Sequence, residues 1–184
     1  AAHYLQGRLQ ALGFQASLDR FDDATPEGPL TFRNVLATST GDFDRVVVLL
    51  SHYDTKADIA DDFVGANDSG SSTGLLLALA PQLRAGVRGR LGIMLAFVDG
   101  EECRHRYAPN DGLHGSRRLA RQLKESEKAD RIVAVILVDM IGDRDLNVSI
   151  PRNGSPALVR LAFQCAEDEG VRDVFSLYRS AMID

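Results

Sequence analysis

The sequence predicts an α/β three-layer sandwich, with a mixed, mostly parallel central sheet flanked by helices. Three runs, RVVVLLS, LGIMLAFV and RIVAVILV, are almost wholly apolar, as strands covered on both faces must be. Helical segments alternate with these strands instead of being segregated from them, which is the order of crossover connections. The third observation is size: 184 residues with 45% apolar content supply one sizeable core, so residues 1–184 read as a single domain.

Taken in order, AAHYLQGRLQALGF reads as an amphipathic helix entered midway, its rough apolar stripe made by Tyr4, Leu5, Leu9, Leu12 and Phe14. ASLDRFD alternates and is a strand, DATPEGPL is a loop of turn formers, and TFRNVLATST alternates again, so an antiparallel hairpin comes early. GDFD turns the chain into the first apolar strand, RVVVLLSHYD. An irregular stretch, TKADIADDFVGAND, precedes the helix SGSSTGLLLALAPQLRAG, whose Ser and Thr cluster suits a first turn. LGIMLAFVD is the next buried strand, EECRHRYAPNDG a polar loop, and LHGSRRLARQLKES a helix. RIVAVILVDMIG reads as a third central strand, followed by the short strand LNVSI. Ser155-Pro156 opens the helix ALVRLAFQCAEDEG, with proline in the first turn. VFSLYRS is one more strand, and both chain ends are abrupt, as in a piece of a longer protein.

Composition removes several function classes. A formal net charge of −5 without a Lys/Arg-rich block is the wrong surface for nucleic acid. No apolar run reaches the roughly 18 residues of a membrane span. Cys103 and Cys165 are too few for a disulfide scaffold. The first residues carry no basic region followed by an apolar stretch, so no secretion signal is present in them.

The three apolar strands all end on acid or imidazole groups. RVVVLLS runs into His52-Tyr53-Asp54, LGIMLAFV into Asp99-Gly100-Glu101-Glu102, and RIVAVILV into Asp139. Asp68, in GANDSG, stands just before a helix. Parallel strands bring such groups to one edge, the carboxyl ends where open sheets bind ligands. Side chains alternate along an extended chain, so Glu101 and Glu102 leave the strand end in different directions. One carboxylate on a metal and another free to move protons is a division that such a pair permits. His, Asp and Glu gathered together suit zinc, which takes nitrogen and oxygen ligands at about 2.0–2.2 Å.

Each residue also has a plainer reading. Asp68 can cap its helix, His52 can be a core histidine bonded to Asp54, Asp99 can be a turn residue before Gly100, and the Glu pair can open a solvated loop. Asp139 is harder to explain by packing, because a lone carboxylate at the end of an apolar strand is costly to bury. His105 and His114 read as surface or structural residues. Arg104, Arg106, Arg117 and Arg118 read as solvent-facing or paired with nearby acids. Cys103 would be a nucleophile only with a base partner, and none is identifiable.

His52-Tyr53-Asp54, Gly65-Ala66-Asn67-Asp68, Gly100-Glu101-Glu102 and Val138-Asp139-Met140 together resemble, in order and context, the motifs of the M28 zinc aminopeptidases and their relatives the glutaminyl-peptide cyclotransferases. The cyclotransferases look closer: TPEGPLTFRNVLAT is similar to their segment before the H-Y-D strand, HYDTK to their H-Y-D-S-K, and GEECRHRYAPNDGLHGSRRLA to their Glu pair, Pro/Asp loop and L-Y-G-S-R helix start. The resemblance implies a zinc-exopeptidase-like fold and a catalytic domain lacking its C-terminal part. It also implies roles: Asp68 and Glu102 as zinc ligands, Glu101 as the proton-transfer group, and His52 with Asp139 completing a second metal site in the peptidases. In the single-zinc cyclotransferases, Asp139 belongs instead to an acid network beside Glu101. Two departures stand out. The family's remaining zinc-binding His is expected beyond Asp184, and the tryptophans of the cyclotransferase pocket are missing from a chain with no Trp. Tyr107 stands where one is expected.

The expected function is zinc-dependent cyclisation of an N-terminal glutamine to pyroglutamate with release of ammonia. The first alternative is a two-zinc aminopeptidase, in which Glu101 activates a metal-bound water. The second is an inactive or binding-only fragment of the fold. The expected partner is a peptide N-terminus, with neither nucleic acid nor a membrane span. The resemblance implies a secreted or periplasmic protein, although these residues carry no address.

Overall fold

Ala2–Ala11 forms the first helix, α1, and buries Ala2, Leu5 and Leu9, three positions on one face of a 3.6-residue period. Tyr4 is not part of that face; it lies one residue round the helix from Leu5 and is exposed. The computed structural model describes residues 1–86, 89–126 and 128–178. Within them the chain divides into two compact units, Ala1–Met140 and Ile141–Asp184.

In the first unit, β1 (Gln15–Thr25) and β2 (Gly28–Thr38) form a long antiparallel hairpin. The expected loop DATPEGPL is only a two-residue turn at Pro26-Glu27, with its flanks inside the strands. Proline favours the turn and Gly28 takes up a φ of 110° that a side chain resists. The Thr25 hydroxyl then closes it by donating to the Gly28 carbonyl at 2.6 Å. β3 (Arg45–His52), β4 (Leu91–Val98) and β5 (Ile132–Leu137) complete a five-stranded sheet in the order β1-β2-β4-β3-β5. β2 pairs antiparallel with β4, whereas β4, β3 and β5 run parallel. The sheet is therefore mixed, and β3 and β4 sit at its centre as their apolar runs require.

RIVAVILV does not. Its strand, β5, lies at the edge of the described sheet, with Val133, Val135 and Ile136 exposed. An apolar run shows that a strand favours burial, but it does not fix the strand's place in the sheet order.

Alternation along β3 and β4 divides the core between two faces. Leu49, Leu95 and Phe97 pack with Leu5, Leu9, Val35, Leu76 and Ala80 under α1 and α2 (Gly70–Gly86). Val48, Leu50, Ala96 and Val98 pack on the other face with Leu119 of α3 (His114–Glu125). This is the three-layer sandwich, and it leaves the carboxyl ends of β3, β4 and β5 together along one edge.

In the second unit, β6 (Val148–Pro151), α4 (Pro156–Asp168) and β7 (Phe175–Tyr178) form a strand–helix–strand unit with the two strands parallel. LNVSI and VFSLY thus pair with each other in a separate small sheet. The last part of VFSLYRS lies outside the described residues.

Candidate metal and catalytic site

β3 delivers His52 at its last position, where the ring is buried at 4% exposure. Its backbone is fixed by the hydroxyls expected to cap α2. Ser69 and Thr73 donate to the His52 carbonyl, Thr73 at 2.8 Å. Ser51 donates to the same oxygen at 2.9 Å and lies 2.8 Å from Ser72. The Ser/Thr cluster therefore ties the start of α2 to the end of β3, and with it the preceding Asp68 to His52.

Asp68 Oδ1 lies 2.8 Å from His52 Nε2, and Asp139 Oδ1 lies 3.5 Å from the same nitrogen. His52 Nδ1 faces Asp54 Oδ1 at 3.4 Å. Burial, the largest influence on the imidazole, favours its neutral form, but Asp139 and Asp54 outweigh it and push the pKa up to about 11. Asp68 is raised, by burial first and then by Asp139, with the His52 charge opposing. Burial also raises Asp54, yet the His52 hydrogen bond and two backbone N–H groups hold it below the ordinary carboxylate range.

Those N–H groups are the ones that place the Glu pair. The amides of Glu101 and Glu102 donate to the two oxygens of Asp54, at 3.1 and 3.0 Å. One carboxylate thus joins the ends of β3 and β4. Gly100 makes the bend with a φ of 67°, and a Cβ there would stand 2.4 Å from the Phe32 ring. Glu101 is buried and accepts a hydrogen bond from the Tyr107 hydroxyl at 3.0 Å. Glu102 points elsewhere: its Oε2 lies 3.5 Å from Lys56 Nζ. Burial raises the Glu102 pKa and the Asp68 charge adds to it, with Lys56 and His52 opposing. The two glutamates do part company at the strand end.

Asp99 supports the site from behind. Its Oδ2 accepts the Arg33 N–H at 2.8 Å, and its own N–H donates to the buried Asn34 side chain at 3.1 Å. The Asn34 amide donates in turn to Gly115 at the start of α3. A Cβ at Gly115 would stand 2.3 Å from Asn34 Oδ1 and 2.5 Å from the Asp99 carbonyl, so only glycine fits. His114 is structural: its Nδ1 is 2.8 Å from Asp23 Oδ2, and its ring stacks on Phe32 at 4.4 Å. Arg118 makes a forked pair with Asp19 at 3.1 and 3.2 Å. Cys103 and Cys165 are both free thiols.

Ligand atoms of His52, Asp68 and Asp139 all lie within 4.8 Å of one another. His52 Nδ1, Asp68 Oδ1 and Asp139 Oδ1 are buried and, apart from the contacts between the imidazole and its acids, have no hydrogen-bond partner, although buried polar atoms nearly always have one. One imidazole and two carboxylates whose buried atoms face one another fit zinc in donor type and spacing. Of the four sequence candidates His52, Asp68, Glu102 and Asp139, the structure gathers three into this group and aligns Glu102 beside it on Lys56. Asp54 and Tyr107 make contacts that residue types alone did not reveal.

The model of peptidase family M28 matches residues 34–174. The chain belongs to peptidase family M28. Among curated proteins it is similar to the glutaminyl-peptide cyclotransferase of Drosophila melanogaster, 35% identical over 147 residues covering 77% of this chain and 42% of that one. It is also similar to the glutaminyl-peptide cyclotransferase-like protein of Bos taurus, 40% identical over 156 residues covering 76% of this chain and 40% of that one. This M28 chain thus spans about two fifths of the length of both relatives. Among solved structures, the glutaminyl cyclase of an Acidobacteriales bacterium superposes with a TM-score of 0.88 at 34% identity, covering 97% of this chain and 63% of that one. The zinc-exopeptidase-like sandwich is therefore the fold, and the family implies zinc.

Proposed function

We propose that this M28 chain carries the core of a glutaminyl-peptide cyclotransferase, closing an N-terminal glutamine to pyroglutamate. The observation that carries the reading is the division between Glu101 and Glu102 at the end of β4, in a chain whose relatives bear that name. When bound, zinc held by Asp68 and Glu102 supplies Lewis-acid polarisation of the glutamine side-chain amide. Glu101 takes a proton from the attacking α-amine as the new C–N bond forms. The same carboxyl returns a proton to the leaving nitrogen as the old C–N bond breaks and ammonia departs. Asp54 holds both peptide groups that aim these carboxylates, and Asp139 lies with His52 at the edge of the site.

A second reading has its own support. His52, Asp68 and Asp139 form a compact donor set by themselves, which suits a two-zinc aminopeptidase with Glu101 as the base for water. The discriminating experiment gives the intact natural protein a Gln-initiated peptide and an unblocked dipeptide, each with and without a chelator. Ammonia and a cyclised N-terminus support the cyclotransferase, whereas a released amino acid supports the peptidase. Neither product, with zinc bound stoichiometrically, overturns both. In keeping with the family, an exported protein is the proposed setting.

A further inference from the structure

We infer that Tyr107 is a positioning residue for Glu101, holding the carboxyl in the orientation that proton transfer needs. The inference rests on the cyclotransferase reading and deepens it. The phenol donates to Glu101 Oε1 at 3.0 Å. A donor on one carboxylate oxygen stabilises charge there and restrains the plane of the group.

The loop is built to hold the phenol in place. Asp111, buried at 3% exposure, accepts the N–H groups of Arg104, His105 and Arg106, the last two at 2.9 and 3.0 Å. Ala108 and Asp111 exchange two backbone hydrogen bonds of 3.0 Å, so the chain returns tightly just past Tyr107. Leu113 then donates to the Glu101 carbonyl at 2.9 Å, tying the far end of the loop to the residue being aimed. Gly112 lies against the phenol ring, with room for no side chain: a Cβ would come within 2.8 Å of Tyr107 Cδ1. Both ends of the Tyr107–Glu101 contact are thus fixed by main-chain bonds independent of it. Tyr107 as a whole remains 45% exposed.

The test is Tyr107→Phe in the intact natural protein, which keeps the ring and removes only the donor. The expected result is a fall in kcat of about tenfold to a hundredfold, the worth of one hydrogen bond to a charged group, with KM within about twofold of wild type. An unchanged kcat, or a rise in KM with kcat held, overturns the inference and makes Tyr107 a wall of the pocket. A second measurement does not depend on turnover. The near-ultraviolet difference spectrum between wild type and Glu101→Gln should carry a tyrosine signal that disappears when both proteins also carry Tyr107→Phe. If wild type releases no ammonia, the cyclotransferase reading fails and the spectrum alone decides the Tyr107–Glu101 contact; an absent signal overturns it.

Discussion

Two adjacent glutamates with different neighbours should respond differently to the same substitution. Glu101→Gln removes the proton carrier under Tyr107 and leaves the Asp54 clamp on the backbone, so zinc content should hold while turnover falls about a hundredfold or more. Glu102→Gln should instead lose metal. Metal analysis beside initial rates checks both, and identical behaviour of the two variants contradicts the division. His52 offers a second prediction at this scale. Its folded pKa of about 11 stands above the ordinary 6.5, so the imidazolium stabilises the metal-free fold fully below pH 6.5 and loses that contribution as pH rises through 11. A zinc ion that takes His52 as a ligand must displace this proton, releasing about one per ion near neutral pH. One that takes only Asp68 and Glu102 leaves His52 charged. Calorimetric zinc titrations in buffers of different ionisation enthalpy separate the two, and in either case the raised Asp68 and Glu102 make affinity fall as the solution is acidified. The carboxylates themselves were legible in the sequence because strand ends and alternation place them. The part played by Asp54 was not, because its two N–H partners lie just past the end of a different strand, β4, and nothing local encodes that meeting.

Among the elements, the segment between β4 and α3 reads in sequence only as a polar loop, yet it is among the best-anchored parts of the site. Its anchor is Asp111. Burial, the largest influence, pushes that carboxyl up, but the N–H groups of Arg106, Arg104 and His105 outweigh it and bring the pKa down to about 2. The folded pKa lies below the ordinary 3.8, so the stabilisation is complete above pH 3.8 and is lost as pH falls through 2. Amide exchange at Arg104, His105 and Arg106 should therefore stay slow down to about pH 4 and quicken below it, after correction for intrinsic rates. In Asp111→Asn those amides should lose the acid-dependent step altogether. Retention of the step in the variant would show that another group pins the loop. The hairpin gives the complementary lesson. Its strands were legible from alternation, but their length was not, because residues flanking Pro26-Glu27 are poor strand formers held in register by pairing: Asp23 stands opposite Leu30 and Ala24 opposite Pro29. Tertiary pairing overrode local preference there.

For the whole molecule, β5 is the element whose sequence and setting disagree most. Its apolar run calls for cover on both faces, yet in the described sheet it has one neighbouring strand, β3, and Val133 and Val135 are exposed at 50% and 53%. An edge strand with apolar side chains and unpaired backbone groups is a template for pairing with another chain. The polypeptide Ala1–Asp184 should accordingly self-associate in a concentration-dependent way. Val135→Lys places a charge on that edge, a device that edge strands use against such pairing. Because half of the Val135 side chain already meets water, the substitution should alter the unfolding free energy by no more than about 0.5 kcal/mol. Sedimentation velocity over a range of concentrations, paired with urea unfolding, reads both effects. A shift towards monomer at nearly unchanged stability locates the self-association at β5. Association that persists in the lysine variant moves it to another surface, and a large loss of stability would mean that Val135 is covered in solution.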